Sequence, residues 1–220
     1  MTAEWTAMRA KSEHCAQGLQ NLQKLRLKIS DHSKRMYAGA GVDLWIQFAH
    51  SIPNLKSLRL DLCDPIWSKP LDADLFQENS FPHLESLSLF EFRIALDFKM
   101  LLSVSNKINT LEFHIWNDGS VVCKNLARAH LRSLRKLTCH KGNFRKSQWT
   151  HIKNELEARP TFSVHYAPPL DLMTAEKLGS ALRLPNFDWT EIKVHQREDA
   201  RRVDQLSHKF GIDSKKFTFA

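Results

Sequence analysis

The segment FPHLESLSLFEFRI (residues 81–94) places Leu84, Leu87 and Leu89 at a spacing that fits neither a regular helix nor a regular strand. Side chains on one helix face recur every three or four residues, whereas those on one strand face recur every two. A leucine three residues before two alternating leucines therefore indicates a bend that leads into a short strand. All three leucines are then expected to point into the same core.

The same spacing recurs along the chain, which makes it a repeat rather than an isolated string. The five clear units are Leu22/Leu25/Leu27, Leu55/Leu58/Leu60, Leu84/Leu87/Leu89, Ile108/Leu111/Phe113 and Leu134/Leu137/Cys139. Their first residues are separated by 33, 29, 24 and 26 residues, and a weaker sixth unit carries Phe162 and Val164. Units of about 20–29 residues with this motif are typical of leucine-rich repeats, which stack because one strand cannot bury its apolar edge alone.

The connecting segments predict helices that return the chain to the start of the next strand. Apolar residues recur at spacings of three and four in 42–52, 96–108, 125–134 and 148–160, as expected for amphipathic helices. Three prolines make 64–82 an irregular connection. We therefore predict an α/β leucine-rich-repeat solenoid of five to six strand–helix units with parallel strands. The alternative is an irregular α/β domain in which the leucine strings recur by chance.

The ends of such a stack need caps, because the terminal units expose apolar surface. We predict an N-terminal helical cap at 1–18, the repeat domain at 19–166, and a mostly helical C-terminal cap or partly disordered tail at 167–220. Two helices are expected in this last region. One begins near Thr174, and the other buries Val203, Leu206 and Phe210 before Gly211 ends it.

The composition is that of an ordinary globular chain, with 42% hydrophobic and 25% charged residues, which suffices for a sizeable core. No stretch approaches the roughly 18 consecutive apolar residues of a membrane span, and the N-terminus lacks the apolar region of a secretory signal. The four cysteines lie far apart and form no CxxC pair, so reduced and mostly buried thiols are expected. These features predict a cytoplasmic or nuclear location.

The phrases IPNLKSLRLDL and FPHLESLSLFEFRI resemble the repeats of fungal F-box and leucine-rich-repeat proteins, and the resemblance covers residues 19–166. It implies a substrate receptor whose repeats hold a target while an N-terminal F-box binds the adaptor of a ubiquitin ligase. Residues 1–18 depart from that pattern, because they carry only Trp5 and Met8 as large apolar side chains and lack a Leu-Pro type opening. The chain is therefore expected to be a repeat-only relative or a part of a longer F-box protein.

The residues between the inward leucines are expected to form a partner-binding surface on the concave side of the strands. These outward residues are Arg26, Arg59, Asp61, Phe90, Glu112, His114, Trp116, Lys136, His140 and His165. Phe90 and Trp116 are the candidate aromatic anchors, with packing beneath the next connection as the alternative for Trp116. His114, His140 and His165 are predicted to form one lateral row, with ordinary solvated histidines as the alternative.

A basic segment offers a second interaction surface. Residues 119–154 contain nine lysines and arginines and no acidic residue. The candidates are Lys124, Arg128 and Arg132, spaced by four along a predicted helix, followed by Arg135, Arg145 and Lys146. Together with a net charge of +8, they indicate nucleic acid or another anionic surface as an alternative partner. A solvated helix face is the simpler interpretation.

Signatures of catalysis are missing from the sequence. It contains no GxSxG, P-loop, HExxH or GxGxxG motif. Cys139 and His140 are adjacent, but neighbouring residues of a strand face opposite sides and cannot form a nucleophile–base pair. A zinc site built from Cys139, His140 and His151 lacks a recognisable spacing. We therefore predict a non-enzymatic protein-binding module that needs no cofactor, metal or small-molecule substrate.

Overall fold

The computed structural model describes residues 19–29, 52–62, 81–92, 97–103, 105–115, 122–195 and 200–219. Their strands are β1 (Lys24–Ile29), β2 (Ser57–Leu62), β3 (Ser86–Phe92), β4 (Thr110–Ile115), β5 (Val122–Cys123), β6 (Lys136–Lys141), β7 (Asn143–Phe144), β8 (Ser163–Tyr166), β9 (Leu170–Asp171), β10 (Phe187–Trp189), β11 (Ile192–Val194) and β12 (Phe217–Phe219). Their α-helices are α1 (Phe98–Ser103), α2 (Arg128–Leu131), α3 (Lys146–Ala158), α4 (Leu172–Leu178) and α5 (Ala200–Phe210), with 3-10 turns at Gly179–Arg183 and Ser214–Lys216.

The apolar strings form the main sheet, an open sheet of seven strands in the order β1-β2-β3-β4-β6-β8-β10. All neighbouring strands in it are parallel. Leu87, Leu111 and Leu137 lie opposite one another in the register, and each is 0% exposed. The predicted parallel strands with inward leucines are therefore confirmed.

Each main strand follows the same turn. The N–H of the first apolar residue of the unit donates to the carbonyl three residues earlier, at 3.0–3.5 Å between N and O. The donors are Leu22, Leu55, Leu84, Ile108, Leu134, Phe162 and Leu184. Pro53, Pro82 and Pro160 stand second in three of these turns, a position that the fixed φ of proline favours. The recurring geometry explains why the first apolar residue stands outside the alternation of the strand.

A backbone ladder joins successive units just before the strands begin. The carbonyl of Lys56 accepts hydrogen bonds from the N–H groups of Glu85 and Ser86, at 2.8 and 2.9 Å. The carbonyl of Glu85 accepts in the same way from Asn109 and Thr110, at 2.9 and 3.1 Å. Because the ladder repeats, the units are geometrically alike even though their lengths differ.

Among the described residues the main sheet contains seven strands, whereas the sequence predicts five to six strand–helix units. Strand β10 lies within 167–220, where we expected a mostly helical cap or tail, and it carries the same spacing in Leu184, Phe187 and Trp189. Phe187 and Trp189 are 4% and 8% exposed. Aromatic side chains thus fill the inward positions that leucines fill elsewhere. The strand is therefore predicted by the spacing of large apolar residues and not by leucine itself.

The predicted helix at 148–160 is confirmed as α3, whose Trp149, Ile152 and Leu156 are buried against the sheet. The helix predicted at 96–108 is shorter, and the chain enters the turn at Ser105, whose hydroxyl donates to the carbonyl of Leu84. The helices predicted at 1–18 and 42–52 fall on residues outside the described ranges, apart from Ile52.

The helix predicted at 125–134 is reduced to the four residues of α2. Asn125 has a φ of +57°, and Ala127 is extended with a φ of −105° and a ψ of 162°. Neither conformation continues a right-handed helix. Lys124 therefore does not lie on the helix that carries Arg128, and the predicted stripe of three basic residues along one helix is wrong.

The C-terminal region contacts the last strand of the main sheet. Lys216 donates from Nζ to the carbonyls of Trp189 and Thr190, at 3.2 and 3.0 Å, and its Nζ lies 4.8 Å from the centre of the Trp189 ring. The 3-10 turn at Ser214–Lys216 therefore contacts the C-terminal end of β10. No helix among the described ranges is long and apolar enough to cross a membrane.

Candidate functional site

The outward residues of the main strands form parallel rows across the sheet. One row, in register from β1 to β10, consists of Arg26, Arg59, Ser88, Glu112, Thr138, His165 and Asp188. A row nearer the strand starts consists of Lys24, Ser57, Ser86, Thr110, Lys136 and Ser163. A third row begins with Asp61, Phe90 and His114. These rows lie on the side of the strands opposite the buried leucines. We call this surface the polar face.

A buried carboxylate joins two arginines at the β1–β2 end of the polar face. Asp61 is 6% exposed. One of its oxygens accepts from Nε of Arg26 at 2.7 Å and the other from Nε of Arg59 at 2.8 Å. Burial by itself would raise the pKa of Asp61, but the hydrogen bonds and charges of Arg59 and Arg26 outweigh it and hold the pKa below its usual value. Asp61 therefore stays ionised and fixes both guanidinium groups.

Phe90 is a half-buried aromatic platform in the middle of the face. The guanidinium carbon of Arg59 lies 3.8 Å from the ring centre, within the range of a cation–π contact. The rings of His114 and His140 lie 6.0 and 5.6 Å away from it, centre to centre. Phe90 thus has the outward position that the sequence predicts, and its neighbours hold its ring in place.

Glu112 is the second ordered carboxylate of the face. It accepts from the hydroxyl of Ser88 at 2.9 Å and from Nε2 of His140 at 2.8 Å. Burial by itself would raise the pKa of Glu112. The hydrogen bonds from His140 and Ser88 and the charges of His140 and Arg59 together have the larger effect, so the pKa of Glu112 lies below its usual value. The carboxylate therefore orients His140 beside Phe90.

The three predicted histidines are neighbours, although they do not share one register row. The ring of His140 lies 6.3 Å from that of His114 and 5.9 Å from that of His165. By Cα register His165 pairs with Thr138, whereas His114 pairs with Lys141. A register shift after Phe113 leaves His140 without a partner on β4, and such bulges re-aim side chains. The row is therefore oblique rather than lateral.

Asp188 is a member of the face that the sequence analysis missed. Its carboxylate accepts from Nδ1 of His165 at 2.6 Å, and it stands opposite His165 in the register of β8 and β10. The pattern Phe187-Asp188-Trp189, buried-exposed-buried, would have revealed it. Lys136 is exposed in the row nearer the strand starts and does not join the aromatic cluster, and Trp116 lies outside the described residues.

The basic residues of the segment lie on several different elements. Arg128 donates from Nε to Glu155 at 3.2 Å, and Glu155 lies just beyond the segment without acidic residues. Lys124, Arg132, Arg135, Arg145 and Lys146 are exposed. Lys146 is the first residue of α3, and the other four lie in the connections around α2, β6 and α3. Five of the six candidate basic residues are therefore exposed on different elements, and Arg128 is paired with Glu155.

Acid should weaken the arginine–Asp61 network in a predictable way. Because the pKa of Asp61 is lowered in the fold, its contribution to stability is complete above the unfolded pKa of about 3.9 and is lost as the pH falls through the folded value. We expect Asp61→Asn to lower the free energy of unfolding by about 1.5–3 kcal/mol at pH 7. Below about pH 4, the difference in the free energy of unfolding between this variant and the wild type should become smaller.

Urea denaturation at pH 7 and at pH 3 measures this difference. Asp188→Asn is the control, since Asp188 is an exposed acid of the same face whose replacement should change the stability by less than about 0.5 kcal/mol. If the difference in the free energy of unfolding between Asp61→Asn and the wild type stays constant down to pH 2.5, the assigned role of the carboxylate is contradicted.

No group of three or more His, Cys, Asp or Glu side chains in the described ranges is arranged to hold a metal ion. Cys123 and Cys139 are buried and unbonded to each other, and burial raises the pKa of the Cys123 thiol to about 12. Comparison with protein-family models, with curated proteins and with solved structures finds no match to this chain. Its function must therefore be inferred from the polar face itself.

Proposed function

We propose that this chain is a non-enzymatic protein-binding module of the leucine-rich-repeat type, and that a protein partner docks on the polar face. The observation that carries the proposal is the side-chain network from Arg26 to Asp188, which spans all seven strands of the main sheet. The recurring turns and the backbone ladder support a solenoid of similar units. The polar face then corresponds to the concave side of the repeats.

The face has the physical character of a preorganised docking surface. Phe90 presents a large aromatic group that Arg59 and two histidines hold in place. Aromatic and arginine side chains carry most of the energy in protein interfaces, and fixing them beforehand reduces the entropy lost on binding. We propose that the partner is a target or an adaptor of a ubiquitin ligase, met in the cytoplasm or the nucleus, in line with the resemblance of the repeats to F-box receptors.

Co-purification from native cells with quantitative mass spectrometry tests this proposal. We expect Phe90→Ala to lower the recovery of the bound partner by about tenfold, the effect of losing an aromatic anchor. Phe219→Ala is the matched control, because Phe219 is 59% exposed and lies on β12, which is not a strand of the main sheet. Unchanged recovery with Phe90→Ala, or an equal loss with Phe219→Ala, would overturn the proposal.

A second candidate function is binding of nucleic acid or another anionic surface through the basic segment. The exposure of Lys124, Arg132, Arg135, Arg145 and Lys146 favours it. Phosphate binding weakens steeply with salt because counterions are released, whereas contacts made by Phe90 should not. The salt dependence of partner recovery therefore separates the two functions.

A further inference from the structure

We propose that the polar face selects an acidic, extended polypeptide segment, whose carboxylates bind Arg26 and Arg59 beside the Phe90 platform. This inference rests on the proposed function and adds the chemistry of the partner. It follows from which charges of the face are already used within the fold and which are left for a ligand.

The carboxylates of the face are occupied by its own cations and hydroxyls. The described outward positions carry three of them, on Asp61, Glu112 and Asp188. Asp61 binds two arginines, Glu112 binds His140 and Ser88, and Asp188 binds His165. A cationic partner would compete with these contacts at Asp61 and Glu112, whose side chains are 8% and 30% exposed, whereas the side chain of Asp188 is 74% exposed.

The cations of the face keep donors for a ligand. The side chain of Arg26 is 63% exposed although it contacts Asp61, and Lys24 and Lys136 are exposed. Arg59 uses Nε for Asp61, and among the described residues no hydrogen bond occupies its Nη groups. Because Asp61 and Phe90 hold this guanidinium in one orientation, it is ready to bind a carboxylate through two parallel hydrogen bonds.

The distribution of charge favours a polypeptide over a nucleic acid. Lys24, Arg26 and Arg59 lie on β1 and β2, where Asp61 is paired with both arginines. Glu112 and Asp188 lie on β4 and β10, with Lys136 on β6 between them. A uniform polyanion laid across the sheet would meet these carboxylates, but a polypeptide can place its acidic residues against β1 and β2 alone. Seven strands at ~4.8 Å span about 29 Å, which corresponds to roughly nine residues of an extended segment.

The probe is a fluorescein-labelled peptide of roughly twelve residues, with glutamates in one half and serine and glycine in the other. A peptide with glutamine in place of glutamate is its control. We expect fluorescence anisotropy to show binding of the glutamate peptide only, and Arg26→Gln and Arg59→Gln each to weaken it by about tenfold. Each single variant leaves Asp61 one arginine, and its melting temperature verifies that it is folded.

Arg145→Gln and Lys146→Gln are the matched charge controls, since both residues are exposed and lie outside the polar face; we expect less than about a twofold change. No binding of the glutamate peptide to wild type, or an equal loss in these controls, would overturn the inference. So would single-stranded DNA that binds through Arg145 and Lys146 while the peptide does not bind. If the peptide fails but Phe90→Ala still releases the native partner, only the acidic chemistry is wrong and the docking face stands.

Discussion

Phe113→Ala is expected to lower the free energy of unfolding by about 3–5 kcal/mol, as in other cases where a buried phenylalanine is truncated. Phe113 is 0% exposed on the inner side of β4. Its ring lies 5.7 Å from that of Phe98 on α1 and 6.0 Å from that of Phe144 on β7, both in edge-to-face geometry. The truncation leaves a cavity between these rings and removes two aromatic contacts, each worth about 0.5–1.5 kcal/mol.

Thermal and urea denaturation measure the loss, and the melting temperature should fall by on the order of 10 °C. Phe113→Leu keeps most of the volume and should cost less than about 1.5 kcal/mol. Thr110→Ala is the matched control on the opposite face of the same strand and should change the stability by less than about 0.5 kcal/mol. Equal losses for Phe113→Ala and Thr110→Ala would contradict the inward and outward assignment of β4.

The main strands are predictable from the sequence because a parallel strand repeats its inward positions every second residue, whatever the length of its connection. Leu84, Leu87 and Leu89 are all 0% exposed, as their spacing predicts. Strand β10 was missed because Phe187 and Trp189 replace leucines and only three residues form the strand. A search for the spacing of any large apolar residues would have found it.

The helix that ends at Leu131 shows what a sequence pattern cannot resolve. The apolar residues of 125–134 fit a helical face, but Leu126 is buried from the connection before α2 and Leu131 from a single helical turn. A short connection buries the same two leucines with Asn125 in the left-handed conformation. Asparagine adopts that conformation at a low cost. The pattern therefore predicts which residues are buried better than it predicts the backbone between them.

The composition of the polar face follows from the alternation, but its pairing does not. Arg59, Phe90 and His140 are outward on sequence grounds alone, and the structure brings them together. The contact between His140 and Glu112 depends on a register shift between β4 and β6. Such a shift depends on local backbone geometry, and no residue type in β6 predicts it.

Arg159→Met is expected to lower the free energy of unfolding by about 3 kcal/mol, because it removes one partner from a buried carboxylate. The side chain of Glu155 is 4% exposed, and Nη1 of Arg159 donates to it at 3.1 Å. Arg159 also donates from Nη1 to the carbonyl of Leu131 at 2.8 Å and from Nη2 to that of Leu134 at 2.6 Å. These two carbonyls flank the turn that precedes β6, so Arg159 fastens that turn to the end of α3.

Arg128→Met is the matched control, because Arg128 contacts the same carboxylate at 3.2 Å but its side chain is 56% exposed. Because solvent screens the exposed guanidinium of Arg128, its contact with Glu155 should contribute about 1 kcal/mol or less. Urea denaturation should therefore separate the two variants by about 2 kcal/mol. The comparison isolates burial and the carbonyl contacts, since both variants lose one positive charge beside Glu155. If Arg128→Met proves as damaging as Arg159→Met, the stabilisation comes from charge neutralisation alone, and the fastening of the turn to α3 is not what holds these two units together.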